Sequence, residues 1–346
     1  LKQNDIAVYS GEAQITGAHT VQIGSESVSA NYLVVATGSR PKRFTRPNDG
    51  SVPVYHCEEI LDIEKLPTQM LISGAGVIGV EMAYIFRMFG VQVTIAAKER
   101  RILPDADREV SRAIERELKK LGIDVLTGIT PSRCKEGEVI LSDGMVLPCD
   151  ALFISDEREA VIPKCNESLP LTKDRFIAVD ETLKTELPNI YAIGDCTGKM
   201  LTAQAATKQG VVLAQTLFHS PGKIKYETIP TCLYSSPEAA WIGMTEAQAR
   251  ARKIPVKVSK TRFSSLGKAV ADAQTEGFVK VIADSRWDEI LGVHIVGANA
   301  TDLIAQAAIA ITSELCASDI ANTVFAHPTF SEAFMDACGG IERADS

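Results

Sequence analysis

The chain has 346 residues, enough for two or three domains, and 45% hydrophobic content lets each bury its own core. A formal charge of −8 with no long Lys/Arg block excludes nucleic acid and anionic membrane surfaces as main partners. No apolar run reaches the roughly 18 residues that span a bilayer, and "LKQNDIAVYS" lacks a signal-peptide core, so a cytoplasmic location is expected.

In chain order, residues 1–36 alternate short apolar runs with turn residues, which predicts a few antiparallel strands ending in the buried strand "YLVVATG". Pro41 and Pro47 then break the chain. Next come the strand "MLISG", a glycine turn, a helix from Val77 to about Phe89, the strand "VQVTIA", the charged helix "DREVSRAIERELKKLG" and the strand "IDVLTG". A hairpin-like "EVILSDGMVLPCDALFIS" closes this stretch, and the βαβαβ order predicts a doubly wound nucleotide-binding domain. Residues 156–226 are loop-rich, with "NIYAIGDCTG" and a helix beginning near Leu201. From 227 the strands "IPTCLYSS", "VKVSKTRF", "GFVKVIAD" and "EILGVHIVG" precede two helices, an α+β layer. The eight cysteines form no C-x-x-C, no C-x-x-x-x-C and no zinc-ligand spacing, so ordinary thiols and no metal site are expected.

Between "MLIS" and the helix, Gly74, Gly76 and Gly79 form G-x-G-x-x-G, with Ala75, Val77 and Ile78 between them. In a strand-turn-helix setting the first glycine allows the tight turn, the second lets a pyrophosphate approach, and the third lets helix and strand pack closely. The residue ending the second strand selects the ribose: an acid accepts from the 2'-hydroxyl of NAD, and cations suit the 2'-phosphate of NADP. Here it is Ala97, followed by Lys98, Glu99, Arg100 and Arg101. Lys98 and Arg100 could meet a 2'-phosphate, Glu99 could be a displaced ribose ligand, or the run is simply a solvated face.

"VVATGSRP", "GAGVIGVEMA", "NIYAIGDCTG", "YSSPEAAWIGMTEAQA" and "AHPTFSEAF" stand in the order and spacing of the pyridine nucleotide-disulfide oxidoreductases. The chain resembles that family over nearly its whole length, nearest its dihydrolipoamide dehydrogenase branch. The resemblance implies α/β doubly wound nucleotide-binding domains and a C-terminal α+β dimerisation domain. It implies an FAD domain, incomplete here, at 1–41 and 156–226, a linker at 42–66, a complete NAD(P) domain at 67–155 and dimerisation at 227–346. Thr37 and Gly38 of "ATG" would lie near the flavin. Asp195 would accept from a ribitol hydroxyl of FAD, with Gly194 allowing the approach, while Ala203 and Ala13 would offer backbone to the flavin and adenine. Alone, Asp195 reads as a turn residue. Glu81 resembles a carboxylate near the nicotinamide, or is a first-turn residue at the helix dipole.

His327 and Glu332 match the family's base pair: a thiol must lose its proton to attack, His has a suitable pKa, and a carboxylate fixes its tautomer. The implied partners are a second copy, because the histidine serves the neighbouring subunit's disulfide, and dihydrolipoamide on a lipoyl domain of a 2-oxoacid dehydrogenase complex. Three departures stand out. The family's first G-x-G-x-x-G and its C-x-x-x-x-C pair are not found in these residues, so about a hundred residues of a family member are expected before Leu1. Ala97 replaces the NAD-selecting acid. "SDEREAV" replaces a Gly-Arg-x-Pro turn, and its acids are expected to repel a pyrophosphate. An NADPH-dependent disulfide or mercuric reductase, and a non-catalytic remnant kept for dimerisation, stand as alternatives.

Overall fold

In the computed structural model, which describes residues 1–155, 157–220 and 222–343, the chain divides into two units. One comprises Leu1–Lys42 and Glu157–Tyr226; the other comprises Arg43–Asp156 and Glu227–Ser346.

In the first unit, Ala13–Gly17, Thr20–Ile23 and Glu26–Ser29 form an antiparallel meander joined in parallel by Lys164–Cys165. The expected strand at "YLVVATG" is Leu33–Val35, which pairs in parallel with Ile190–Ala192. Side chains from both strands meet Ile15, Ile177 and Cys196 in one apolar core, so two motifs far apart in sequence are fixed side by side. The helix near Leu201 runs Ala203–Phe218, capped by Thr202, whose side chain accepts from the Ala205 N–H.

The second unit carries the nucleotide-binding sheet: five parallel strands ordered Val54–Tyr55, Ala151–Ile154, Gln69–Ser73, Gln92–Ala97 and Asp124–Thr127. Two of its inner strands, Ala151–Ile154 and Gln69–Ser73, are almost wholly buried, whereas the edge strand Asp124–Thr127 is exposed at both ends. The helix Val77–Met88 follows the glycine turn, and Arg108–Lys120 buries Val110, Ala113, Ile114 and Leu118, a stripe at helical spacing. Of the expected hairpin, Glu138–Leu141 pairs with Val146–Pro148 on one side and Pro131–Lys135 on the other in a separate antiparallel sheet, while "ALFI" joins the parallel one.

After Glu227 an antiparallel sheet runs Thr231–Leu233, Ala239–Gly243, Ile290–Gly297, Gly277–Asp284, Val256–Arg262. This region differs from the sequence expectation in two ways. "AAWIG" is an inner strand, short and apolar because both faces are buried, and three helices rather than two follow the sheet: Ala300–Thr312, Ala317–Ala321 and Glu332–Arg343. No helix among the described residues is long and apolar enough to cross a membrane.

His294, on the Ile290–Gly297 strand, is fully buried; Nε2 donates to the Met244 carbonyl at 3.1 Å, and Nδ1 has no hydrogen-bond partner among the described residues. Burial pushes its pKa down to about 4. An unfolded histidine titrates near 6.5, so between the two values the unfolded chain binds the extra proton. Stability is therefore expected to fall as the pH is lowered from about 6.5 towards about 4, by up to about 1.4 kcal/mol per pH unit. Urea midpoints at a series of pH values would show that slope, and His294→Met should flatten it; an unchanged slope in the variant would assign the acid sensitivity elsewhere.

Candidate active site

The glycine turn has the geometry that a pyrophosphate needs. Gly74 sits at φ 111°, a region costly for other residues, and its N–H is held by the Ala96 carbonyl at 2.9 Å. A Cβ on Gly79 would overlap the Gly74 carbonyl oxygen, whereas one on Gly76 would enter open space. The third glycine of the motif is thus enforced by packing, while the second leaves free space beside the backbone. The N–H groups of Val77 and Ile78 open the helix and have no acceptor one turn back. Ala75, itself buried, accepts from the Leu103 N–H at 2.7 Å and so ties the turn to the loop after the second strand.

The end of the second strand and that loop carry the residues expected to face the ribose. Ala97 is fully buried and offers no polar group. Lys98 lies 3.9 Å from Glu99, so the cation and the displaced acid partly cancel. Arg101 is spent on structure: its guanidinium donates to the carbonyls of Pro104 and Ala106 and to the Ser111 hydroxyl. Glu81, half-buried on the helix, accepts from the Tyr234 N–H at 2.8 Å, and burial raises its pKa. One carboxylate oxygen therefore already ties the nucleotide helix to the strand end at 234.

In the first unit, Gly38 and Gly194 both adopt left-handed φ, 72° and 74°, and nothing would meet a Cβ on Gly38 within 4 Å. Gly194 donates its N–H to Gln209, a fully buried glutamine that also donates to the Tyr226 hydroxyl at 3.0 Å. Thr37 donates to the Val161 carbonyl. Asp195 accepts from the Ser39 hydroxyl through Oδ2 at 2.7 Å, and among the described residues no donor is seen on Oδ1. Ala203 is the first residue of its helix, with its N–H among the first-turn donors, and Ala13 is the exposed first residue of its strand.

The expectation that "SDEREAV" repels an anion is corrected. Arg158–Ala160 forms a two-stranded antiparallel ladder with Ser39–Pro41, in which Glu159 pairs with Arg40 and Glu157 with Lys42, each at 2.7 Å. The acids are neutralised by a segment more than a hundred residues earlier, so they present little net charge. Asp156, also part of that expectation, lies outside the described residues.

His327 and Glu332 come together in the second unit. His327 Nδ1 lies 2.8 Å from Glu332 Oε1, and Oε2 accepts from the Thr329 N–H at 2.8 Å. The bond from His327, followed by that from Thr329, holds the Glu332 carboxyl below its usual range, so it is ionised and Nδ1 carries the proton given to it. Nε2 is then the basic nitrogen. The imidazole is 75% exposed while Glu332, opening its helix beside the buried Phe330 and Phe334, is 17% exposed. The carboxylate is anchored and the base faces outward.

Residues 1–210 match the pyridine nucleotide-disulphide oxidoreductase family and residues 229–338 match its dimerisation domain. The chain belongs to that family. Members of the pyridine nucleotide-disulphide oxidoreductases use FAD and a pyridine nucleotide; this chain is a flavoprotein oxidoreductase of that class, and its dimerisation domain supports a homodimer. A dihydrolipoyl dehydrogenase of Bacillus subtilis is 33% identical over 97% of this chain and 76% of its own length; one of Chlamydia pneumoniae is 33% identical over 97% and 75%. Among solved structures, the HOCl-induced flavoprotein disulfide reductase RclA of Escherichia coli has a TM-score of 0.87 at 25% identity, covering 97% of this chain and 79% of that one. For a pyridine nucleotide-disulphide oxidoreductase, two groups escaped the reading of motifs. Gln209 carried a signal, a polar residue on the buried stripe of its helix, and Arg158 carried none, because its partner Ser39 is distant in sequence.

Proposed function

We propose that this protein oxidises a dithiol of the dihydrolipoamide type and passes the electrons to a pyridine nucleotide. The observation that carries the reading is the His327–Glu332 pair: an ionised carboxylate on Nδ1 and an exposed, basic Nε2 suit the removal of a proton from a thiol brought to it from outside this unit. The target would be a disulfide and bound dithiol on the neighbouring subunit of the homodimer. Asp195, Gly194, Thr37, Gly38, Ala203 and Ala13 would hold FAD, which when bound supplies two-electron transfer between thiols and nicotinamide. They fit it: among the described residues no donor is seen on one Asp195 carboxylate oxygen, Gly38 leaves open space, and a helix start offers N–H groups. Gly74, Gly76, Gly79 and the Val77 and Ile78 N–H groups would hold the pyrophosphate of NAD(P), with Ala75 fixing the turn and Glu81 beside the nicotinamide. The physiological donor would be a lipoyl domain of a 2-oxoacid dehydrogenase complex, in the cytoplasm. The boundaries would be 1–41 and 156–226 for FAD, 67–155 for NAD(P) and 227–346 for dimerisation, with 42–66 as linker.

Ala97 is apolar and Lys98 is offset by Glu99, so neither residue gives a nucleotide a dedicated ligand at the 2'-position, and Arg100 stands as the other candidate cation for a 2'-phosphate. The FAD-loaded enzyme is expected to oxidise dihydrolipoamide, with kcat/KM for NAD and NADP within about tenfold, or about 1.4 kcal/mol, of each other. Failure to oxidise dihydrolipoamide, together with NADPH-driven reduction of another disulfide or of a metal ion, would replace the substrate reading. A larger preference for either nucleotide would mean that Lys98 or Glu99 rearranges on binding, or that Arg100 meets the 2'-phosphate.

A further inference from the structure

We infer that Arg158 is a positioning residue for the carboxylate of Asp195, acting through the Ser39 hydroxyl. The inference rests on the reading of Asp195 as the ribitol ligand of FAD. The Arg158 guanidinium donates from Nε to Ser39 Oγ at 2.7 Å and from Nη2 to the Ser39 carbonyl at 2.9 Å. A guanidinium only donates, and a serine hydroxyl has a single proton. Once Arg158 occupies a lone pair of Oγ, that proton can only be given onward, and it goes to Asp195 Oδ2 at 2.7 Å. The direction of the relay, from arginine to hydroxyl to carboxylate, is thus set at its first member. Asp195 is held as an acceptor with no donor seen on Oδ1 among the described residues, the arrangement that a hydroxyl-rich chain requires.

The ladder aims the fork. Register pairs Arg158 with Pro41, Glu159 with Arg40 and Ala160 with Ser39, and the two flanking ion pairs resist a slip that would turn Arg158 to the other face. The guanidinium holds both the backbone and the side chain of Ser39, which a lysine ammonium, a point donor on a flexible stem, does not reproduce. Glu157 and Glu159 therefore anchor the strand, and Arg158 reaches Ser39.

The test compares FAD with ADP, which shares the adenine and pyrophosphate end but has no ribitol. FAD release from diluted holoenzyme is followed by flavin fluorescence, and ADP affinity by its competition with FAD rebinding. Arg158→Gln and Ser39→Ala are each expected to weaken FAD about tenfold and ADP less than about twofold, and the double variant should be no worse than about twofold beyond either single. Ser39→Thr, which keeps the hydroxyl, should restore most of the affinity, and Arg158→Lys should restore it only in part. Equal weakening of FAD and ADP would mark a merely structural role and overturn the inference, as would an unchanged FAD affinity in Arg158→Gln or full additivity in the double variant. If Asp195→Ala retains FAD at the parental affinity, the ribitol reading itself fails, an outcome distinct from loss in Asp195→Ala without loss in Arg158→Gln.

Discussion

His327→Gln is expected to lower dithiol oxidation by about a thousandfold while leaving flavin content and NADH-driven reduction of an artificial electron acceptor unchanged. Glutamine keeps a polar group of similar reach but has no basic nitrogen, so the proton of the incoming thiol has nowhere to go. Reduction of an artificial acceptor needs no thiol deprotonation and is the internal control. Glu332→Gln should fall between the two, because it loses the charge that stabilises the imidazolium but leaves the base. The pH dependence carries a sign. The Glu332 carboxyl titrates below its ordinary value, so its contribution is complete above the usual carboxylate range and is lost only as the pH falls through the lowered value. Glu332→Gln removes that contribution at every pH, so the part of the acid loss that belongs to the carboxylate should be missing from its profile. A His327→Gln enzyme that oxidises dihydrolipoamide at more than about a tenth of the parental rate would remove this histidine from the reaction.

How much of this was legible in the sequence depended on how far apart the interacting residues lie. The glycine turn was readable because strand, turn and helix are contiguous, and the overlap that forbids a side chain at Gly79 arises from Gly74 only five residues earlier. The His327–Glu332 pair, implied by the family resemblance and not by spacing alone, spans the same distance in sequence, and its side chains meet. The two glutamates of "SDEREAV" were misread because their sign was visible but their partners, Arg40 and Lys42, were not. Strand "AAWIG" was absorbed into a longer motif because a short inner strand has no alternation to betray it. Lys280 posed the same difficulty from the opposite side: a lysine in mid-strand reads as solvent-facing, yet in "GFVKVIAD" it points into the protein and is 1% exposed.

Lys280→Met is expected to destabilise the second unit by about 3–5 kcal/mol, the largest stability effect of any single replacement considered. The ammonium lies 3.0 Å from Asp107, 3.1 Å from Glu109 and 2.9 Å from Glu246. Burial alone would lower its pKa, but the bonds to Glu246 and Asp107 outweigh that and raise it, so the lysine is charged in the folded protein. Asp107 also caps the helix Arg108–Lys120 by accepting from the Glu109 N–H at 2.9 Å, and Glu246 begins a short helix of the C-terminal region. One cation thus joins the nucleotide-binding sheet's second helix to the C-terminal sheet, and removing it leaves a nearly buried carboxylate, Asp107, without its countercharge. Burial pushes the Asp107 carboxyl up, but its bond from Glu109 and the nearby charges hold it low on balance, so its contribution is lost as the pH falls through that lowered value. Melting should drop by roughly 10 °C in Lys280→Met at neutral pH, and the deficit should shrink in acid as the stranded carboxylates protonate. Adding Glu246→Gln and Asp107→Asn to Lys280→Met should recover part of the loss, because the cost lies in unpaired charge more than in missing attraction. If the triple variant melts lower than Lys280→Met by the sum of its parts, the ions contribute independently and the cluster does not act as a unit.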